Sequence, residues 1–179
     1  MKQTAIQSDG QTVSRHTLAH VTVTVTLLTP SLGRISFGGA ARNSAETELK
    51  STTRLSDIIA LARPDLKVTL IEPLQRRVDF LTQVIAELEL PIKVVRGRAE
   101  AVKMQFEVVT ARAVAPLEKL IQISWHMIPR GGCLLAIKGE SAAEELAATK
   151  LKKGSTAKLH EISLPNLPVA RVVEVLKGA

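Results

Sequence analysis

Three charged residues each stand directly after a short apolar run: Glu72 after LKVTLI, Arg112 after FEVVTA and Lys138 after CLLAI. Such runs read as buried strands, and the carboxyl ends of parallel strands form the edge where open α/β sheets bind ligands. A carboxylate at that edge accepts hydrogen bonds from both hydroxyls of a ribose, the chemistry expected of Glu72; a solvated carboxylate beside a helix start is the alternative. Arg112 presents a planar fork for a phosphate or carboxylate, against a plain surface charge covering a strand exit. Lys138, followed by Gly139, offers a point charge for RNA phosphate or for steering a base, against ordinary solvation.

Other reactive side chains form weaker patterns. His16 and His20 have the spacing of two ligands on one helix face, yet their surroundings are not helical in pattern and lack HExxH, so no metal site is expected. The single Cys133 lies in an apolar strand and reads as packing rather than a nucleophile; alone, it forms no intramolecular disulfide.

These residues need a scaffold, and from Ile58 onward strand-length apolar runs alternate with helical patterns, the mark of an α/β fold. Leu66 to Glu72 is the first strand of that region. Pro73 is expected to open a helix reaching Leu90, with Leu74, Val78, Leu81, Ile85 and Leu88 on its inner face, and Pro91 to stop it. Ile92 to Val95 is the next strand, Arg96 to Glu100 a loop, and Phe106 to Ala111 another strand. Pro116 opens a second helix with Leu117, Leu120, Ile121 and Ser124 inward; the turn Pro129 to Gly132 leads into a strand over Cys133 to Ile137. Ser141 and Glu144 have capping-box spacing, Glu145 favours the same helix start, and Lys150 to Gly154 mark its far end. Ala157 to Leu164 and Val169 to Leu176 are expected to pair as antiparallel strands.

Residues 1–57 differ, being rich in Ser and Thr and poor in apolar periodicity. Only Thr22 to Leu28 offers a strand pattern, readable as an edge strand or as an unstructured segment. The chain therefore divides into an atypical segment over 1–57 and a domain over 58–179.

The 179 residues suit one domain with a sizeable core. With 24 Lys plus Arg against 17 Asp plus Glu the formal charge is +7, and the sequence pI is about 9.9, which favours a polyanionic partner through phosphate contacts. Three Phe, one Trp and no Tyr leave little for stacking flipped bases, so a folded RNA or particle surface is the expected partner. No run of about 18 apolar residues occurs, and the amino terminus lacks a secretory pattern. A cytoplasmic protein without membrane contact is expected.

The segments ALARPDLKVTLIEPLQRRVDFL (60–81), VVRGRAE (94–100), FEVVTARAVAPLEKL (106–120) and LLAIKGESAAEEL (134–146) resemble the small-subunit ribosomal RNA guanine-N7 methyltransferases, also called glucose-inhibited division protein B. The resemblance covers about residues 58–177. It implies a class I methyltransferase fold, a Rossmann-like, seven-stranded, mostly parallel sheet with a reversed last strand. It also implies S-adenosylmethionine as cofactor, N7-methylation of a guanine in 16S ribosomal RNA as the reaction, and the small ribosomal subunit or its RNA as partner of a monomer.

By that resemblance Glu72 holds the ribose, Ala99 and Glu100 lie beside the adenine, and Arg112 belongs to the cofactor or active site. Arg76, Arg77, Arg96 and Arg98 form the densest basic feature of the matched region. Arg76 and Arg77 suit phosphate contact or simply the polar face of their helix, and Lys138 joins them as an RNA contact. The N7 lone pair is already nucleophilic, so alignment rather than a general base is the requirement.

The resemblance fails upstream. The family has an acidic strand end followed by a glycine-rich loop of GSGAGLPG type, where glycine lets the backbone approach the cofactor. Counting back from Ala60 without gaps places Thr47, Leu49, Ser51, Thr53 and Ser56 at the Asp and four Gly positions. So sharp a change near Asp57 is expected of a reading frame shifted upstream, with divergence that abolishes cofactor binding as the alternative. A noncatalytic RNA- or ribosome-binding remnant is the rival function.

Overall fold

The computed structural model describes residues 22–26, 59–60, 63–112, 115–163 and 165–178. Seven strands run in chain order: β1 Thr22–Thr26, β2 Lys67–Glu72, β3 Ile92–Arg96, β4 Val108–Arg112, β5 Cys133–Lys138, β6 Ser155–Ile162 and β7 Ala170–Lys177. They form one sheet in the order β3-β2-β1-β4-β5-β7-β6. Pairs among the first five are parallel, whereas β7 runs antiparallel to both β5 and β6. The implied α/β class I methyltransferase sheet with its reversed last strand is therefore present.

Parallel neighbours cannot be joined by tight turns and need crossovers. Among the described residues α1 Gln75–Glu87 joins β2 to β3 and α2 Leu117–Ser124 joins β4 to β5, while α3 Ala142–Ala148 follows β5 on the way to β6. Flanking helices leave the inner strands no wet face, and in β2 only Lys67 is exposed while Val68 to Glu72 are buried. One apolar cluster gathers Ile71, Val109, Leu117, Ile121, Leu134 and Val173; another holds Leu66, Val68, Leu70, Leu81 and Ile92. Each such side chain taken from water contributes about 1.5–3 kcal/mol.

Three expectations need correction. Thr22–Thr26 is no edge strand: it pairs with β2 on one side and β4 on the other, at the centre of the sheet. Its β-branched Val and Thr residues suit a paired strand in either place, so local propensity did not fix its position. Helix α1 starts at Gln75, not Pro73, because the Glu72 carboxylate accepts the Leu74 N–H at 2.9 Å and closes a turn first. Its buried face is Leu81 and Val84, while Leu74 and Leu88 are 53% and 37% exposed at its ends. At α3 the capping box does not form; Ser141 makes no cap bond and its hydroxyl lies 3.3 Å from the Glu145 carboxylate instead.

Candidate functional site

The sheet's switch point lies at β1, where the strand order turns towards β2 and β3 on one side and β4 and β5 on the other, the place where such sheets bind ligands. Thr26 is level with Ile71 and with Ala111, so Glu72 and Arg112, each one residue further, flank the end of β1 at equal height. Two strand spacings separate them, about 10 Å. Arg96 stands opposite Glu72 in the β2–β3 register, and Lys138 ends β5 beyond Arg112.

Glu72 is 1% exposed. Its Oε1 is satisfied by the Leu74 amide, but Oε2 is buried without a hydrogen bond. Arg77 approaches that oxygen only to 3.6 Å, close enough for charge attraction and too far for a hydrogen bond. A buried charged oxygen with an open lone pair is costly and calls for a donor.

The loop after β3 is tied to the same place by the Gly97 amide, which donates to the Glu72 carbonyl at 3.1 Å. It leads into a short 3-10 turn, Ala99–Ala101, with Ala99 buried and Glu100 exposed. The turn that carries Ala99 and Glu100 therefore begins two residues after the amide that bonds Glu72. Val102, just after the turn, has its carbonyl 2.9 Å from His126 Nε2 below α2, a prop that no local pattern announces.

Arg112 is exposed and lines a cavity of about 880 Å³ with Pro116, Ile137, Lys138, Glu145 and Val169. Lys138 is turned into the protein: its side chain is 10% exposed, and Nζ donates to the Ala115 carbonyl at 2.7 Å and to Glu145 Oε2 at 2.8 Å. The same Glu145 oxygen accepts the Leu117 N–H at 2.9 Å. Burial raises the Glu145 carboxyl, but the Lys138 hydrogen bond, the Leu117 amide, the Lys138 charge and Ser141 outweigh it and hold it below the usual carboxylate range. Glu145 enters the sequence reading only as a helix-start charge; its four-residue spacing from Ser141 is the faint local signal of more. Arg76 is exposed at the start of α1, as are Arg96 and Arg98, while Arg77 leans towards Glu72.

Residues 57–170 match the GidB family, rRNA small subunit methyltransferase G. The chain belongs to this family. Similar relatives are the ribosomal RNA small subunit methyltransferases G of a Nocardioides species, 51% identical over 51% of this chain and 38% of that protein, and of Thermobifida fusca, 44% identical over 68% and 48%. The chain thus spans about half or less of the length of the curated relatives it matches. A methyltransferase from Pyrococcus furiosus shares the fold at a TM-score of 0.55 and 17% identity, over 69% of this chain and 70% of that one.

The residues present fit the adenosine half of S-adenosylmethionine. A buried carboxylate oxygen that accepts no hydrogen bond, at the end of β2, is the kind of acceptor that a ribose hydroxyl would satisfy. The methionine half is another matter. With β1 at Thr22–Thr26, the stretch that follows it reads Leu27-Leu28-Thr29-Pro30-Ser31-Leu32-Gly33, again without a Gly-x-Gly run. Thr47 to Ser56, His16 and His20 lie outside the described residues.

Proposed function

We propose that this chain carries the S-adenosylmethionine-dependent N7-methyltransferase site for a guanine of 16S ribosomal RNA, with cofactor capture weakened by the missing glycine loop. One observation carries this reading: the buried Glu72 oxygen that accepts no hydrogen bond, at the switch point of a methyltransferase sheet. When bound, the cofactor supplies the electrophilic methyl group. Glu72 holds the ribose hydroxyls, Ala99 and Glu100 frame the adenine, and Arg112 presents its guanidinium to the cofactor carboxylate or the substrate phosphate. Catalysis on a nucleophilic N7 is then mainly alignment.

The partner is the small ribosomal subunit or its RNA, approached by a monomer along a basic rim of Arg76, Arg96 and Arg98, with Arg77 and Lys138 behind it. The cytoplasm is the compartment this partner requires. Among the described residues no helix is long and apolar enough to cross a membrane.

A second reading rests on a specific observation, the absence of a Gly-x-Gly run after β1: the chain binds ribosomal RNA without turning over. Incubating purified chain with small subunits and methyl-labelled cofactor separates the two. Label transferred to RNA by the wild type and lost in Arg112→Ala supports the enzyme, and subunit binding without transfer supports the remnant. Neither binding nor transfer overturns both.

A further inference from the structure

The polar contacts beside the cavity converge on one carboxylate. Leu117 is the first residue of α2, and a first-turn amide has no partner within its own helix. That amide is met by Glu145 Oε2, 28 residues further along the chain, at 2.9 Å. Two residues earlier, the Ala115 carbonyl is held by Lys138 Nζ at 2.7 Å, and Lys138 is in turn paired with the same Glu145 oxygen at 2.8 Å. The backbone is therefore gripped on both sides of Pro116, whose fixed φ of −53° removes the remaining slack. Ala115 and Pro116, at the head of α2, line the cavity together with their two holders.

We propose that Glu145 is a positioning residue, which through Lys138 and the Leu117 amide clamps Ala115 to Leu117, at the head of α2, into the wall against which the substrate is presented. This inference rests on the methyltransferase reading of the site. Breaking the ion pair frees one loop end, and breaking the Leu117 bond frees the other. Glu145 makes both, so its loss releases the segment without touching the Glu72 half of the site. Lys138 acts inside the protein here, a role distinct from a direct phosphate contact.

The experiment uses the full chain with Glu145→Ala, Glu145→Gln, Lys138→Ala and the Glu145→Ala/Lys138→Ala pair. Hydrogen exchange at the Leu117 amide reports the clamp, and initial rates of methyl transfer to small subunits report its consequence. Leu117 exchanges about tenfold faster in Glu145→Ala, and Lys138→Ala moves in the same direction. Glu145→Gln, whose amide oxygen still accepts, recovers most of the protection. Turnover falls in both alanine variants with the RNA KM and its salt dependence unchanged, and the double variant is no worse than the worse single one.

A raised RNA KM and flattened salt dependence in Lys138→Ala alone, with Glu145→Ala unaffected, would overturn the clamp and make Lys138 a phosphate contact. Additive defects would overturn it too. If the wild type transfers no methyl group, the methyltransferase reading falls, and exchange alone judges the clamp. A Leu117 amide that exchanges freely in the wild type, or equally slowly in Glu145→Ala, then sinks it.

Discussion

Glu72 Oε2 lies 3.6 Å from the nearer Arg77 guanidinium nitrogen, inside the range of charge attraction and outside that of a hydrogen bond. The buried Oε2 feels the charge of the half-buried Arg77 but accepts no hydrogen bond, and so remains an acceptor for an incoming donor. In Glu72→Gln the amide oxygen still receives the Leu74 N–H, but the charge that strengthens a bond to a hydroxyl is gone. Hydrogen bonds to charged groups contribute about 1.5–3 kcal/mol, so S-adenosylmethionine affinity is expected to fall roughly ten- to hundredfold. The ligand-free protein loses no thermal stability, because an incompletely paired buried charge has been removed. Titration calorimetry and thermal melts on the same variant check both halves. Unchanged affinity, or a collapse in Tm, contradicts the ribose role.

The lack of a Gly-x-Gly run after β1 leads to a second expectation, that the wild-type chain binds S-adenosylmethionine more weakly than micromolar. The backbone of a Gly-x-Gly loop approaches its ligand closely because no Cβ intervenes, and residues 27–32 contain no glycine. Calorimetry giving micromolar affinity for the unmodified chain refutes it.

The strands and most helices after Asp57 were legible because burial on both faces writes a plain signal: LKVTLI, FEVVTA and CLLAI are nearly continuous apolar runs. Helix α1 was legible only in part. Its period of three and four was right, but Leu74 and Leu88 extend the apolar stripe past the ends of the surface it packs on. β1 was hardly legible, since TVTVT says paired strand without saying which neighbours, and the answer depends on β2 and β4 more than 40 residues away. The site divides in the same way. Glu72 and Arg112 are visible as charges ending apolar runs, whereas the inward turn of Lys138 depends on Ala115 and Glu145, which only the folded chain brings to it.

The difference between the two ends of that stripe is measurable. Leu81 is 1% exposed within the cluster formed with Val68 and Leu70, so Leu81→Ala leaves a cavity and is expected to cost about 2–5 kcal/mol. Leu88→Ala removes a side chain that is 37% exposed at the helix end and costs less than about 1 kcal/mol. Urea unfolding of both variants decides the matter, and equal losses would restore the longer inner face.

Cys133 provides a pH test. Burial, reinforced by the nearby Glu174 carboxylate, pushes its thiol from 9.0 up to about 11. The folded chain thus keeps its proton where the unfolded chain has begun to lose it. Stability contributed by the neutral thiol is intact below pH 9.0 and declines as pH rises towards about 11. Cys133→Ala should show a shallower loss across that window in denaturant titrations. At pH 8 iodoacetamide should alkylate native Cys133 more slowly than the unfolded chain does, since the thiolate is the nucleophile. Equal rates would mean that the thiol is neither buried nor shifted.

The basic rim yields the most direct test of how RNA is met. Arg96 sits opposite Glu72 in the sheet register, Arg76 opens α1, and Arg98 precedes the 3-10 turn, so three exposed guanidinium groups border the same carboxyl edge. Charges that contact phosphate release counterions, and each contact steepens the dependence of log K on log salt by about 0.7–0.9. Replacing all three by Gln should therefore flatten the slope by about 2 units, weakening binding to small-subunit RNA at low salt far more than at high salt. Single substitutions should act almost equally, because phosphate contacts carry affinity without reading sequence. Lys138, paired within the protein, should leave the slope unchanged when replaced. A slope insensitive to the triple substitution would move the RNA to another face, and one sensitive to Lys138 alone would place the phosphate inside the cavity rather than along its rim.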